Sequence, residues 1–139
     1  MIYPRQIYPK LEEQLETPQA IVITGMRRVG KSTTLKHLFD LVPSKNKAIF
    51  DFENPSVRRI FDIKDYDSIW NLLASRGITK DSRAYLFIDE IQNLPMISSI
   101  AKYLHDHYQT KFFMTFSSSY YLKNLFPKSM AGSKLVFEM

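Results

Sequence analysis

The chain has 139 residues, of which 45% are hydrophobic and 24% are charged, with a formal net charge of +5 and no cysteine. This length predicts one domain, and the composition excludes a disordered chain. Without cysteine, neither a disulfide nor a thiolate metal site can form. The sequence shows neither a long apolar run nor a basic-then-apolar leader, so we expect a cytoplasmic protein with no membrane partner.

Hydrophobic periodicity predicts helices and strands that alternate along the chain. An entry helix at 7–15 is followed by a first strand at Ala20–Thr24 and by a helix at 31–42, which Pro43 stops. The later strands are predicted at 48–52, 84–89, 111–116 and 134–138, and the later helices at 55–63, 65–75, 95–108 and 119–126. Because the strands are apolar on both faces, we expect an α/β fold with a mainly parallel five-stranded sheet and helices on both sides.

The loop after the first strand matches a phosphate-binding pattern. Residues 25–32 read GMRRVGKS and fit GxxxxGK[ST] at every fixed position. The glycines allow successive backbone N–H groups to curl around a phosphate at a helix N-terminus, and a chance glycine turn is disfavoured by the strand, loop and helix order. The predicted ligand is Mg-ATP or Mg-GTP, and the nucleotide-binding residues are Gly25, Met26, Arg27, Arg28, Val29, Gly30, Lys31, Ser32 and Thr33.

Individual side chains of this loop have predicted roles. Lys31 can extend to the β- and γ-phosphates, where it would act in catalysis as well as in binding, and the Ser32 hydroxyl can ligate Mg²⁺. The Arg27 and Arg28 side chains can face solvent or can contact a carboxylate or a partner, and the sequence supports the two interpretations equally.

Two adjacent carboxylates end the strand YLFID at 85–89. The carboxyl ends of parallel strands form the edge where ligands bind in such sheets. Asp89 is predicted to complete the Mg²⁺ site with Ser32, and Glu90 to orient and deprotonate an attacking water. An acidic pair after a strand is weak evidence alone, because it can be a solvated strand end. The phosphate-binding pattern upstream makes the catalytic interpretation much stronger.

Hydroxyl groups cluster after the fourth predicted strand, in the run TFSSS at 115–119. We expect Ser117 or Ser118 to contact the γ-phosphate or the attacking water, and Ser117 is the candidate catalytic residue. The serines can also cap the helix predicted at 119–126, and the two roles are compatible. Basic residues occur only in small groups, so DNA is a partner that the sequence permits without requiring.

The segments GMRRVGKST, YLFIDEIQNLP, FMTFSSS and SMAGSKLVFE together resemble the AAA-type ATPase domain at the N-terminus of a large prokaryotic family of predicted ATPases. The resemblance implies a P-loop NTPase three-layer sandwich, with the strand that ends near Thr115 inserted between the phosphate-loop strand and the Asp89 strand. It implies ATP and Mg²⁺ as ligands, a possible homo-oligomer, and Ser117 or Ser118 at the polar sensor position.

The chain departs from that family in two places. Phe116 stands where the family usually has glycine, and Ser133 where it usually has arginine after a glycine. Family members also continue into a lid and a C-terminal domain, so we expect residues 1–139 to form the ATP-binding core alone. The main functional hypothesis is an ATPase that is slow or active only on assembly. The alternatives are a non-hydrolysing nucleotide-dependent interaction module and, less favoured, a small-molecule kinase.

Overall fold

A computed structural model describes residues 4–26, 30–117 and 134–139. The strands are β1 (Ala20–Thr24), β2 (Lys47–Asp51), β3 (Ala84–Asp89), β4 (Thr110–Phe116) and β5 (Lys134–Glu138). The helices are α1 (Pro4–Glu12), α2 (Lys31–Leu41), α3 (Pro55–Phe61), α4 (Tyr66–Ser75) and α5 (Ile97–Tyr108), with a 3₁₀ turn at Ile91–Asn93. The helix predicted at 119–126 lies outside the described residues. None of the described helices combines the length and the apolarity that crossing a bilayer requires.

The five strands form one sheet in the order β2-β3-β4-β1-β5, and every neighbouring pair is parallel. Strand β4 therefore lies between β1 and β3, as the sequence analysis expected. Thr24 at the end of β1 is in register with Phe116, and Ile88 of β3 is in register with Met114. This order brings the carboxyl ends of β1, β3 and β4 to the same edge of the sheet, which is where the predicted site residues follow.

Two apolar cores lie on opposite faces of the sheet and confirm the three-layer sandwich. Alternate residues of each central strand point to opposite faces: Val22 of β1 belongs to one core, whereas Ile21 and Ile23 belong to the other. The first core also contains residues of α3, α4 and α5, and the second contains residues of α1 and α2. The helices are thus divided between the two faces.

The two outer strands are less buried than the central ones. Ile49 of β2 and Val136 of β5 are each 44% exposed, whereas all seven residues of β4 are buried. Apolar composition therefore does not mean full burial in β2 and β5. An outer strand has a neighbour on only one side, and the helical layers cover the centre of the sheet better than its margins.

Element boundaries differ from the predicted ones by a few residues. Helix α1 ends at Glu12 rather than at residue 15, because the chain continues in turns such as the one closed by Gln14 N–H and Leu11 O at 3.0 Å. The predicted stop at Gly77 is confirmed. Gly77 follows the end of α4 with φ 103°, a left-handed conformation that favours glycine, and its N–H donates to Ala74 O.

Lys111 is a buried cation near the amino end of β4. Its side chain is 1% exposed, and its ammonium donates to Thr17 Oγ1 at 2.9 Å and to the carbonyl of Gln19. Both acceptors precede β1, so Lys111 ties the chain entering β1 to the start of β4. Burial, together with the nearby Arg83 guanidinium, lowers the pKa of Lys111 to about 7, although Glu16 opposes the shift.

This shift predicts that stability rises with pH. Between pH 7 and about pH 10 the unfolded chain keeps the Lys111 ammonium protonated while the folded chain has released the proton, so higher pH favours folding in that window. We expect the free energy of unfolding of the wild type to increase relative to that of Lys111→Met between pH 7 and pH 9, as measured by urea denaturation. Lys102→Met, at a half-exposed lysine of α5, should keep the wild-type pH profile. An unchanged profile in Lys111→Met would contradict the prediction.

Candidate nucleotide-binding site

The predicted phosphate loop connects the buried end of β1 to the start of α2. Gly25 has φ 155° and Gly30, which precedes the first helical residue, has φ 94° and ψ 18°. The left-handed conformation of Gly30 turns the chain directly into α2, which a residue with a Cβ would oppose. Thr34 Oγ1 donates to Gly30 O at 2.9 Å and fixes the turn to the helix. Three predicted loop residues, Arg27, Arg28 and Val29, lie outside the described residues.

Lys31 reaches back across the phosphate loop. It is the first residue of α2, its side chain is 3% exposed, and its Nζ donates to Met26 O at 2.6 Å, among other contacts. The ammonium is therefore held against the part of the loop that follows β1. Ser32 and Thr33 are exposed beside it, and Met26 is 77% exposed. A buried cation at a helix N-terminus, held against the residue that follows Gly25, is suited to binding a phosphate.

Asp89 is hydrogen-bonded from two different elements. Ser32 Oγ at the start of α2 donates to Asp89 Oδ2 at 2.5 Å, and Thr115 Oγ1 of β4 donates to Asp89 Oδ1. The two residues predicted to ligate Mg²⁺, Ser32 and Asp89, are thus in direct contact. This contact joins the phosphate loop to the acidic end of β3 across 57 residues of sequence.

Glu90 has an unusual backbone conformation. Its φ of 61° and ψ of 57° are left-handed, which is uncommon for a residue other than glycine. Its N–H donates to Thr115 Oγ1 at 2.8 Å, and this buried hydrogen bond offsets the strain. The left-handed turn sends the Glu90 side chain in a different direction from that of Asp89. Thr115 therefore positions both acids, one through its hydroxyl hydrogen and the other through a lone pair.

Glu90 is 7% exposed. Two side chains hold its carboxylate. Ser117 Oγ lies 2.6 and 2.7 Å from its two oxygens, and Gln92 Nε2 donates to Oε2 at 2.5 Å. The other end of the Gln92 amide, Oε1, is buried and has no hydrogen-bond partner in the described residues. The structure therefore brings together Lys31, Ser32, Asp89, Glu90 and Ser117, whereas Ser118 lies outside the described residues.

Sequence reasoning did not assign a role to Gln92 or the central role to Thr115. The segment IQNLP was part of the family resemblance, but a glutamine two residues after a glutamate gives no sign that its side chain turns back. Thr115 belongs to the hydroxyl-rich run, yet its contacts with both acids depend on β4 lying beside β3. Phe116, which departs from the family, is fully buried in the core, so its ring points away from the contacts that Ser117 makes.

Thr115→Val should destabilise the fold while keeping the shape of the side chain. The substitution leaves the buried Glu90 N–H without an acceptor, and we expect a loss of about 1–3 kcal/mol in the free energy of unfolding, measured by urea denaturation. Thr79→Val is the matched control, because the exposed Thr79 makes its hydrogen bonds through its backbone, and it should change stability by about 0.5 kcal/mol or less. Equal stability of the two variants would show that the Thr115 hydroxyl is dispensable.

Comparison with solved structures identifies the same fold. A structure of Drosophila ORC bound to AT-rich DNA and Cdc6 matches with a TM-score of 0.68 at 11% identity, over 97% of this chain and 53% of that one. A structure of Drosophila ORC bound to DNA matches with a TM-score of 0.67 at 11% identity, over 97% and 88%. C. elegans PCH-2 matches with a TM-score of 0.59 at 13% identity, over 99% and 40%. At these identities the likeness concerns the fold alone, and the chain spans about half the length of the first of these relatives.

Comparison of the sequence with known proteins gives the family. No curated protein matches it. The family model described as an AAA domain matches residues 17–139, which include β1, the phosphate loop, both acids and the whole sheet. The chain therefore belongs to the AAA domain family and is an ATP-binding domain of the AAA type.

Proposed function

We propose that this domain binds Mg-ATP and hydrolyses it to ADP and phosphate, with Glu90 as the general base. The observation that carries the proposal is a continuous series of hydrogen bonds from Ser32 through Asp89 and Thr115 to Glu90. This series fixes the base relative to the loop that would hold the triphosphate. Fixed positions of the base and the loop favour hydrolysis, because phosphoryl transfer depends mainly on alignment and charge stabilisation.

The predicted loop residues would bind the triphosphate. Backbone N–H groups of residues 25–33 would surround the β- and γ-phosphates, and Lys31 would exchange its contact with Met26 O for phosphate oxygens. The chain's own cation would then offset negative charge that develops on the leaving β-phosphate oxygens. For Arg27, Arg28 and Val29, a place in this loop stays a prediction from the sequence.

The donor set at Ser32 and Asp89 fits Mg²⁺. Hydroxyl and carboxylate oxygens are the ligands that Mg²⁺ prefers, and the two side chains already lie 2.5 Å apart, so one ion can contact both. Bound there, Mg²⁺ would neutralise charge on the β- and γ-phosphates. Thr115 would keep Asp89 oriented through the second carboxylate oxygen.

Glu90 retains the capacity to bind a water molecule. A carboxylate offers about four lone-pair positions, and the contacts of Ser117 with both oxygens and of Gln92 with Oε2 occupy three of them. A water that donates a hydrogen bond to Glu90 can attack the γ-phosphorus while its proton passes to the carboxylate. The bond between the γ-phosphorus and the bridging oxygen then breaks, and ADP carries the electron pair away.

The same contacts favour a second candidate function. If Ser117 and Gln92 keep Glu90 from the water, the domain would bind ATP without turnover and act as a nucleotide-dependent interaction module. In the described part of the chain, no arginine hydrogen-bonds to Ser32, Asp89 or Glu90. An arginine from a neighbouring subunit would stabilise the transition state, a contribution of about 10³–10⁵ in rate. Homo-oligomerisation therefore belongs to the hydrolysis proposal.

Glu90→Gln should separate binding from hydrolysis. We expect it to keep Mg-ATP affinity in calorimetric titration while phosphate release falls by about 10²–10⁴. Lys31→Ala should lose both Mg-ATP binding and phosphate release. Asp62→Asn, which makes the same kind of change at an exposed position, should keep both activities. Measurements over a range of protein concentrations, with and without DNA, would reveal activation by assembly or by DNA, which is named as a ligand in two of the structural comparisons.

Two outcomes would decide between the candidates. Phosphate release that Lys31→Ala abolishes would exclude the non-hydrolysing module. ATP binding without any phosphate release, at every protein concentration and with DNA present, would exclude hydrolysis and support the module. Unchanged turnover in Glu90→Gln would remove Glu90 from the mechanism.

Ser117 should act through its hydroxyl group on Glu90. Ser117→Ala removes the hydrogen bond that orients the carboxylate, so we expect kcat to fall by about tenfold, equivalent to about 1.4 kcal/mol, with little change in KM for ATP. Ser117→Thr retains the hydroxyl and should restore most of the rate. A rate that rises in Ser117→Ala would show instead that Ser117 restrains Glu90.

A further inference from the structure

A polar cavity lies at the edge of the sheet opposite the candidate nucleotide site. Its volume is about 250 Å³, and it is lined by Pro18, Arg83, His105, Gln109, Thr110 and Lys111. Pro18 and Arg83 precede β1 and β3, Thr110 and Lys111 begin β4, and His105 and Gln109 lie at the end of α5. The six residues therefore surround the amino ends of the strands. Thr115 lies four positions after Lys111 along β4, which places the two sites about 13 Å apart.

The lining is basic. Arg83, His105 and Lys111 contribute to it, whereas no carboxylate does. Lys111 is buried, and in the described residues its hydrogen-bond acceptors are the neutral oxygens of Thr17 and Gln19. A buried ammonium with only neutral acceptors lacks the opposite charge that would compensate for its desolvation.

The nearest carboxylate is already bound by other groups. The Glu16 carboxylate oxygen Oε2 lies 3.7 Å from Arg83 Nη1, and it accepts a hydrogen bond from the Tyr85 hydroxyl at 2.6 Å. Burial and the hydrogen bond to Glu16 raise the pKa of Tyr85, so the phenol stays neutral and continues to donate. Glu16 thus favours the charged form of Lys111 from a distance without contacting the ammonium.

The α5 side of the cavity completes the set of charged groups. His105 Nδ1 lies 3.1 Å from Thr110 O, which holds the ring at the cavity wall. Lys102 and Asp106 pair with each other at 3.0 Å on the same helix, so they add little net charge. Glu16 and Asp106 thus pair with Arg83 and Lys102, and the Lys111 ammonium is the positive charge at the cavity that no carboxylate contacts in the described residues.

We propose that this cavity binds a small oxyanion that carries a phosphate or carboxylate group, held by Lys111 and Arg83. The volume of about 250 Å³ would hold about eight waters at about 30 Å³ each, enough for inorganic phosphate or a short multiply charged carboxylate. The site does not depend on ATP binding or hydrolysis at the other edge of the sheet.

The geometry predicts that binding takes up protons. Because the pKa of Lys111 is lowered to about 7, an anion that contacts the ammonium raises that pKa again. At pH 7 the protein should take up as much as about half a proton for each anion bound. Affinity should consequently fall as pH rises from 7 to 9.

Calorimetric titration of the full chain with sodium phosphate, and separately with sodium citrate, tests the proposal at constant ionic strength. The Lys31→Ala background weakens phosphate binding in the nucleotide loop by removing its ammonium group. We expect saturable binding of at least one of the two anions, with a binding enthalpy that changes with the ionisation enthalpy of the buffer. Binding of phosphate alone would identify a phosphate ligand, and binding of citrate alone a carboxylate.

Three further variants, made in the same background, locate the site. Arg83→Gln should weaken binding about tenfold, and Lys111→Met should abolish both binding and proton uptake. Arg76→Gln removes the same charge from an exposed position beyond α4 and should leave affinity unchanged. Because Arg83 is partly exposed, its variant gives a result even if Lys111→Met does not fold.

Two results would overturn the proposal. One is the lack of saturable binding of either anion up to roughly 10 mM, which corresponds to less than about 3 kcal/mol of binding free energy. The other is equal weakening by Arg76→Gln and Arg83→Gln, which would show a general effect of net charge rather than a site.

Discussion

The Thr115 hydroxyl is the contact on which the arrangement of the site depends. It donates to Asp89 and accepts from the Glu90 backbone, so a single oxygen sets the position of both acids. It can do so only because β4 is inserted between β1 and β3. The left-handed backbone of Glu90 and the contact of Ser32 with Asp89 follow from this arrangement, and together they join the phosphate loop to the proposed base.

The two edges of the sheet have different chemical character. At the carboxyl ends of the strands lie the buried Lys31 and a set of acids and hydroxyls that hydrogen-bond to one another, which suits a ligand that combines phosphates with a divalent cation. At the amino ends, Lys111 and Arg83 line a cavity without a carboxylate. Both edges use a buried lysine. At the amino ends, Lys111 donates to the neutral oxygens of Thr17 and Gln19 and lines a cavity beside Arg83, and this combination supports a separate oxyanion site.

The contacts of Glu90 affect both the orientation of its carboxylate and its access to water. Ser117 contacts both oxygens of the proposed base and so orients the carboxylate. The same contacts limit the space in which a water molecule can bind to it. Gln92 is notable because one end of its amide binds Glu90 while the other end is buried without a partner. A small movement of the 3₁₀ turn after β3 would therefore change the environment of the base directly.

The sequence by itself determined the α/β class and the strand that leads into the phosphate loop, and it marked Lys31, Ser32, Asp89 and Glu90 as candidate site residues, because these depend on local periodicity and short fixed spacing. The insertion of β4 was expected only from the family resemblance. Tertiary structure alone decided that Gln92 turns back to Glu90 and that Lys111 is buried beside a basic cavity, since both depend on contacts between segments that local patterns do not relate. It also decided that β2 and β5 are partly exposed, because strand composition does not show which strands lie at the margins of a sheet.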